Sequence, residues 1–209
     1  MPNWCNNYIT ITGDKSQLEK IHFLASNRGE DGLFVTLVGL PEGMTPTDYN
    51  DKWYDTNVSQ WGTKWDVHPH ETEIVKSDFG ITMSFETAWS PPIPFCAQLA
   101  EIFKVEVSIF YSECGIGFAG LCKCYADGTI EDDECEYLEG MYRHDTEQFW
   151  SEIEYTADSI MDELTPAEED GKVTEEDIKS YVDEHYGFVT DEDRVEILKQ
   201  LNEQLDDQD

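Results

Sequence analysis

Ile9 and Ile11 alternate with Thr10 and Thr12 after Tyr8, and the run stops at Gly13, the pattern of a β-strand that ends in a turn. Residues 15–26, with Lys15, Leu18, Ile21, His22, Leu24 and Ala25, read as a helix. Residues 33–37 read as a strand, and residues 39–66, rich in Gly, Pro, Asp and Trp, as a long ordered loop. Two extended stretches, 72–76 and 80–89, flank Ser77-Asp78-Phe79-Gly80 and predict a hairpin. Prolines open a helix over 94–103, and Val105, Val107, Ile109 and Tyr111 alternate along a further strand. A second hairpin is predicted by 118–125 and 129–137 around Ala126-Asp127-Gly128. The coarse order β-α-β-β-α-β followed by a hairpin predicts an α+β fold: a ferredoxin-like antiparallel sheet with helices on one face, over residues 1–140.

The pattern changes after residue 140. Phe149, Trp150, Ile153, Ala157, Ile160, Met161 and Leu164 recur with the period of one helical stripe. Thr174-Glu-Glu-Asp177 signals an N-cap with acids in the first turn, followed by Ile178, Tyr181, Val182 and His185 on one face. Thr190-Asp-Glu-Asp193 opens a third helix, whose stripe is expected at Val195, Leu198, Leu201 and Leu205. Residues 141–209 are therefore expected to be an acidic helical region, with only the extreme end frayed.

Charge changes what these helices can be for. The 209 residues hold 46 Asp plus Glu against 13 Lys plus Arg, a formal charge of −33. Residues 1–120 carry 16 acids and 7 bases, whereas residues 121–209 carry 30 acids and 6 bases. Such a chain lacks the basic footprint that phosphate binding requires, so direct nucleic-acid binding is excluded as the main activity, and an anionic membrane surface with it. No apolar run approaches the ~18 residues of a membrane span, and Met1-Pro-Asn-Trp-Cys-Asn-Asn7 has neither region of a signal peptide. The expected location is the cytoplasm of a bacterial host, with free thiols at Cys5, Cys96, Cys114, Cys122, Cys124 and Cys135. Crowded acids are also expected to raise one another's carboxyl pKa values.

Four blocks, Met1-Pro-Asn-Trp-Cys-Asn-Asn7, Trp61-Gly-Thr-Lys-Trp-Asp66, Thr87-Ala-Trp-Ser-Pro-Pro92 and Glu113-x-Gly115-x-Gly117-Phe118-Ala119-Gly120, make the first 125 or so residues resemble a phage- and plasmid-encoded family, the Api92-like proteins. The resemblance implies a ferredoxin-like N-terminal domain and brings no catalytic residues to carry over. The acidic helices lie outside the four blocks.

Candidate chemistry is sparse. Trp4, Trp61, Trp65 and Trp89, with Pro91 and Pro92, read either as a ligand wall or as a cluster pinning the long loop to the sheet, and no Arg or Lys cluster accompanies them. Cys122-x-Cys124 with Cys114 and Cys135 is a poor match to zinc spacing. Residues 166–177 have the glycine of a calcium loop but a proline at the first ligand position and Asp177 at the last, so a turn with acidic caps is the better reading. His68 and His70 near Asp66 and Glu71, and His144 beside Asp145, lack any accompanying nucleophile or phosphate loop. No enzyme activity, metal or cofactor is expected. The expected function is that of a phage- or plasmid-type, anti-defence inhibitor: a DNA mimic whose acidic surface occupies the basic groove of a host nucleic-acid-binding protein. Its contact residues are expected to be Glu147, Glu152, Glu154, Asp158, Asp162 and Glu163, then Glu168, Glu169 and Asp170, then Glu175 and Glu176. The alternative is a non-enzymatic adaptor that binds a protein partner through the Trp-rich N-terminal part.

Overall fold

The computed structural model describes residues 3–40, 53–164 and 173–206. The chain divides into two compact units, Met1–Gly140 and Met141–Asp209.

The first unit is an antiparallel sheet covered on one face by helices. Its strands are β1 (Trp4–Thr12), β2 (Glu73–Lys76), β3 (Ile81–Ala88), β4 (Glu106–Glu113), β5 (Phe118–Cys124) and β6 (Ile130–Glu136), in the order β2-β3-β1-β4-β5-β6. The first four make the ferredoxin-like arrangement, and the β5–β6 hairpin extends it beyond β4. Register explains the core. Ile9 lies opposite Met83 and Ile109, Ile109 opposite Cys122, and Val107 opposite Cys124, so period-2 alternation sends one buried row to the same face. Against that row pack Leu18, Ile21 and Ala25 of α1 (Lys15–Ser26), and Phe95, Cys96, Leu99, Ala100 and Phe103 of α4 (Ile93–Phe103).

Two segments between β1 and β2 differ from the sequence expectation. Residues 33–37 form a helix, α2 (Leu33–Val38), not a strand. The cause lies thirty residues downstream: Asp66 Oδ1 accepts from Phe34 N at 2.7 Å, and Oδ2 accepts from Val35 N at 2.9 Å. These are first-turn donors that a helix otherwise leaves unsatisfied. Burying Leu33, Phe34 and Leu37 is then compatible with helical spacing. The segment read as one loop over 39–66 contains α3 (Trp53–Trp61), which buries Trp61 against Phe34 with ring centroids 5.7 Å apart. Its residues 41–52 lie outside the described residues.

After β6 comes α5 (Tyr137–His144), which the sequence reading had not separated from the hairpin. The helical unit consists of α6 (Thr146–Leu164), α7 (Glu175–His185) and α8 (Asp191–Asp206), with α8 packed on both others. Phe149, Ile153, Ala157 and Ile160 of α6 and Ile178 and Val182 of α7 are buried, as their spacing predicts. In α8 the phase differs: Ile197 and Leu201 are buried, whereas Val195 is 65% exposed and Leu198 half-buried. Thr190 and Asp193 fix this start of α8. Thr190 Oγ1 donates to Asp193 Oδ2 at 2.6 Å, and Tyr142 OH donates to the same oxygen at 2.6 Å.

Candidate functional site: acidic helices and an aromatic cluster

The acids of α6 sort by helical position. Positions 147, 154, 158 and 162 follow i, i+7, i+11, i+15 and form a stripe on the side away from Phe149, Ile153, Ala157 and Ile160. Glu147 and Glu154 are exposed, and positions 158 and 162 join them by helical period alone, whereas position 163, eleven residues after 152, falls by the same period on the side of Glu152. Glu152 departs from the expected outward set: it flanks the buried stripe, is half-buried, and accepts from Gln148 Nε2 at 2.8 Å. Glu175 and Glu176 are exposed in the first turn of α7, where their charge complements the positive helix end. Glu168, Glu169 and Asp170, and most of the calcium-like loop, lie outside the described residues. That loop's last acid, Asp177, is a helix cap: its Oδ2 accepts from Thr174 N at 2.9 Å and from Thr174 Oγ1 at 2.6 Å.

Other acids of this unit already have work. Asp183 Oδ1 pairs with Arg194 Nη1 at 3.1 Å, and Glu196 Oε1 with Lys199 Nζ at 3.2 Å. The Thr174 hydroxyl holds the Asp177 carboxyl below its ordinary range, and the Thr190 and Tyr142 hydroxyls do the same for Asp193. At these two groups local hydrogen bonding acts opposite to the rise expected from crowding.

A second acidic feature was missed. Glu131, Asp132, Asp133, Glu134 and Glu136 are all exposed on β6, an edge strand of the sheet. Charged side chains along an edge oppose strand-to-strand association. The signal was in the sequence, where five acids in six residues fill the outer arm of a predicted hairpin.

The tryptophan blocks meet at one end of the sheet. Thr63 Oγ1 donates to Ala88 O at 3.0 Å, Ser90 Oγ to Gly62 O at 2.7 Å, and Trp89 N to Asn3 O at 2.9 Å. Asn7, buried, donates to Cys5 O and to Thr87 Oγ1. Glu113, also buried, accepts from Gly115 N at 2.6 Å and Ile116 N at 2.8 Å, closing the β4–β5 turn with Gly117 at φ 83°. The tryptophans divide by burial. Trp61 is core, but Trp4, Trp65 and Trp89 remain about two-fifths exposed, as does Tyr54. Trp4 lies 6.4 Å from Trp65, and Tyr54 6.4 Å from Trp89, centroid to centroid. Among the described residues a single base sits among them, Lys64, whose position between Thr63 and Trp65 in the second block was the available clue.

The groups weighed as catalytic candidates have neighbours in the fold. Asp66, besides capping α2, accepts from Val67 N at 2.7 Å, and burial raises its carboxyl pKa despite these bonds and nearby Arg28. His68 and His70 are exposed, with ring centroids 5.3 Å apart, and His68 Nε2 lies 3.9 Å from Glu30 Oε2. Cys122 and Cys124 are buried with sulfurs 3.9 Å apart. Burial pushes Cys5 up to about 12 and Cys96 well up, so these thiols stay protonated. Among the described residues no group of three His, Cys, Asp or Glu converges as a metal site, and no helix is long and apolar enough to cross a membrane.

Strand order and register being those of a ferredoxin-like sheet, the comparison of sequences is specific on this point. Residues 60–155 match the family model of the ferredoxin-like domain in Api92-like proteins. The match runs from the end of α3 through β2–β6 and α5 into α6. The crystal structure of a protein api92 from Yersinia pseudotuberculosis aligns with a TM-score of 0.45 and 10% identity, covering 65% of this chain and 98% of that one. No curated protein matches the chain at a significant level.

Proposed function

We propose that the protein is a phage- or plasmid-type inhibitor acting in the bacterial cytoplasm, and that its helical unit mimics nucleic acid to block a host DNA-binding or defence protein. The observation that carries this reading is the acidic stripe of α6 on a folded support. Positions 154, 158 and 162 recur every fourth residue, so ~6 Å apart at ~1.5 Å rise per residue. That is close to every second phosphate of one DNA strand at ~3.4 Å per nucleotide. Helices with their own buried core hold these positions at fixed spacing, as a disordered acidic tail would not. Carboxylates so spaced can pair with the Arg and Lys side chains that otherwise grip phosphate.

The test is charge reversal along the stripe: Glu147→Lys, Glu154→Lys, Asp158→Lys and Asp162→Lys together, sparing half-buried Glu152. The native chain, used as bait in host lysate, is expected to retain DNA-processing proteins at low salt and to lose them to high salt or added duplex DNA. The reversed chain is expected to lose them altogether. Recovery of the same proteins by the reversed chain, with unchanged salt resistance, would sink the mimic reading.

A further inference from the structure

Lys64 is held by rings. Its Nζ lies 4.2 Å from the Trp65 ring centroid, 4.8 Å from Trp89 and 5.9 Å from Trp53. Distances of this order place an ammonium in the attractive field of the π faces. Lys64 makes no ion pair with any described residue and donates no side-chain hydrogen bond to one, although the chain as a whole has more than three acids for every base. The receptor is built rather than incidental. Asn57 Nδ2 donates to Lys64 O at 2.9 Å, fixing the lysine backbone on α3. The bonds from Thr63 to Ala88 and from Ser90 to Gly62 tie the Lys64 loop to the Trp89 turn. Trp89 itself is held at φ 70°, a left-handed conformation that costs a bulky residue free energy and persists only where its surroundings enforce it.

We infer that this cluster is a cation-receiving aromatic cage for an arginine or lysine side chain of a protein partner, with Lys64 as its resident internal ligand. The cage already satisfies an ammonium through ring faces, which is the chemistry such a guest needs. Trp65 and Trp89 present exposed ring surface from which a second cation can approach. The formal charge of −33 concentrates cationic partners around the chain and repels a nucleotide phosphate, so charge complementarity selects a basic protein segment over nucleic acid. Lys64 has a flexible four-carbon stem and can swing out, exchanging one cation–π contact for another. A tethered competitor lowers the apparent affinity for an outside guest, so removing its charge raises that affinity. The inference concerns a surface of the first unit and is independent of the acidic stripe.

The experiment uses the full chain with ¹⁵N-labelled indoles and two probes: acetyl-Gly-Arg-Gly-amide and the same peptide with neutral citrulline in place of arginine. The arginine peptide is expected to shift the Trp65 and Trp89 indole resonances, and the citrulline peptide to leave them in place. Lys64→Met is expected to bind the arginine peptide roughly 3- to 30-fold more tightly, the range one cation–π contact spans. Adding Trp65→Leu is expected to abolish that gain, which separates the cage from the general pull of acidic surface. Lys64→Gln carries the same test if Lys64→Met does not fold. Equal arginine-peptide affinity with and without Lys64, or equal shifts from both peptides, would overturn the inference and leave Lys64 a structural staple. Indole shifts produced instead by adenosine monophosphate, and lost with Lys64, would overturn it in favour of base stacking.

Discussion

Replacing Asp66 by Ala removes one carboxylate that accepts from three backbone donors, Phe34 N and Val67 N at 2.7 Å and Val35 N at 2.9 Å. An ordinary helix cap is worth about 0.5–2 kcal/mol. Hydrogen bonds to a charged acceptor are worth about 1.5–3 kcal/mol each. Two effects reduce the sum: burial already disfavours the ionised carboxyl, as its raised pKa records, and water can enter the vacated space. The expected net loss is therefore roughly 2–4 kcal/mol, larger than one cap and smaller than three independent bonds. For a chain of this size that corresponds to a fall in Tm of roughly 5–15 °C. Trp61 rests on Phe34, the residue Asp66 holds, so urea unfolding followed by tryptophan fluorescence reads the site directly. Asp66→Asn keeps one acceptor oxygen and should fall between. A loss below about 0.5 kcal/mol for Asp66→Ala would refute the argument that this side chain imposes the helix.

Gly120→Ala should cost about 1–3 kcal/mol by overpacking, because a Cβ there would lie 2.4 Å from the hydroxyl of buried Tyr111. In a Tyr111→Leu background the same change should cost at least about 1 kcal/mol less, and additive losses in that double-mutant cycle would disprove the clash. Asp177 and Asp193 have lowered carboxyl pKa values, so their stabilisation is full above the unfolded value of about 3.9 and is lost as pH falls through the folded values. Amide exchange at Ile178 and Ile197 between about pH 5 and pH 2 should accelerate less steeply in the Asp177→Asn, Asp193→Asn variant once the intrinsic rate is removed, and equal slopes would count against the caps.

Local pattern carried most of the sheet. The alternations at Ile9-Thr10-Ile11 and Val105 to Tyr111, and the turns at Ser77-Asp78-Phe79-Gly80 and Ala126-Asp127-Gly128, correspond to β1, β4 and the two hairpins. What local pattern could not reveal was control from a distance. Leu33-Phe34-Val35-Thr36-Leu37 suits a strand by composition and is helical because Asp66 reaches its first turn, across Gly32, where a Cβ would lie 2.2 Å from Asp66 Oδ2. In α8 the run Val195, Leu198, Leu201 reads as the stripe, and Leu201 is buried, yet the Thr190–Asp193 cap and Tyr142 set a rotation that also buries Ile197 and leaves Val195 exposed. The aromatic cluster was half legible. Its tryptophans stand out in the sequence, but which rings are core and which surround Lys64 depends on how four separated blocks meet.

Net charge overstates the surface open to a partner, because many of these acids have local roles. Glu175, Glu176 and Asp177 open α7, and Asp191, Glu192 and Asp193 open α8, where acids offset the positive ends of the helix dipoles. Asp183 and Glu196 are paired with Arg194 and Lys199. The five acids of β6 line a sheet edge, where their repulsion discourages a second copy from adding a strand. On α6, Glu147 also lies in the first turn, whereas position 154 is exposed and, with 158 and 162 by helical period, falls on the side away from the unit's core. Reversing first-turn acids should therefore lower helix stability and change partner binding only through unfolding. Reversing positions 154, 158 and 162 of α6 should leave the fold intact and act on binding alone. A reversed stripe that unfolds the helical unit would mean that these acids, too, serve the fold.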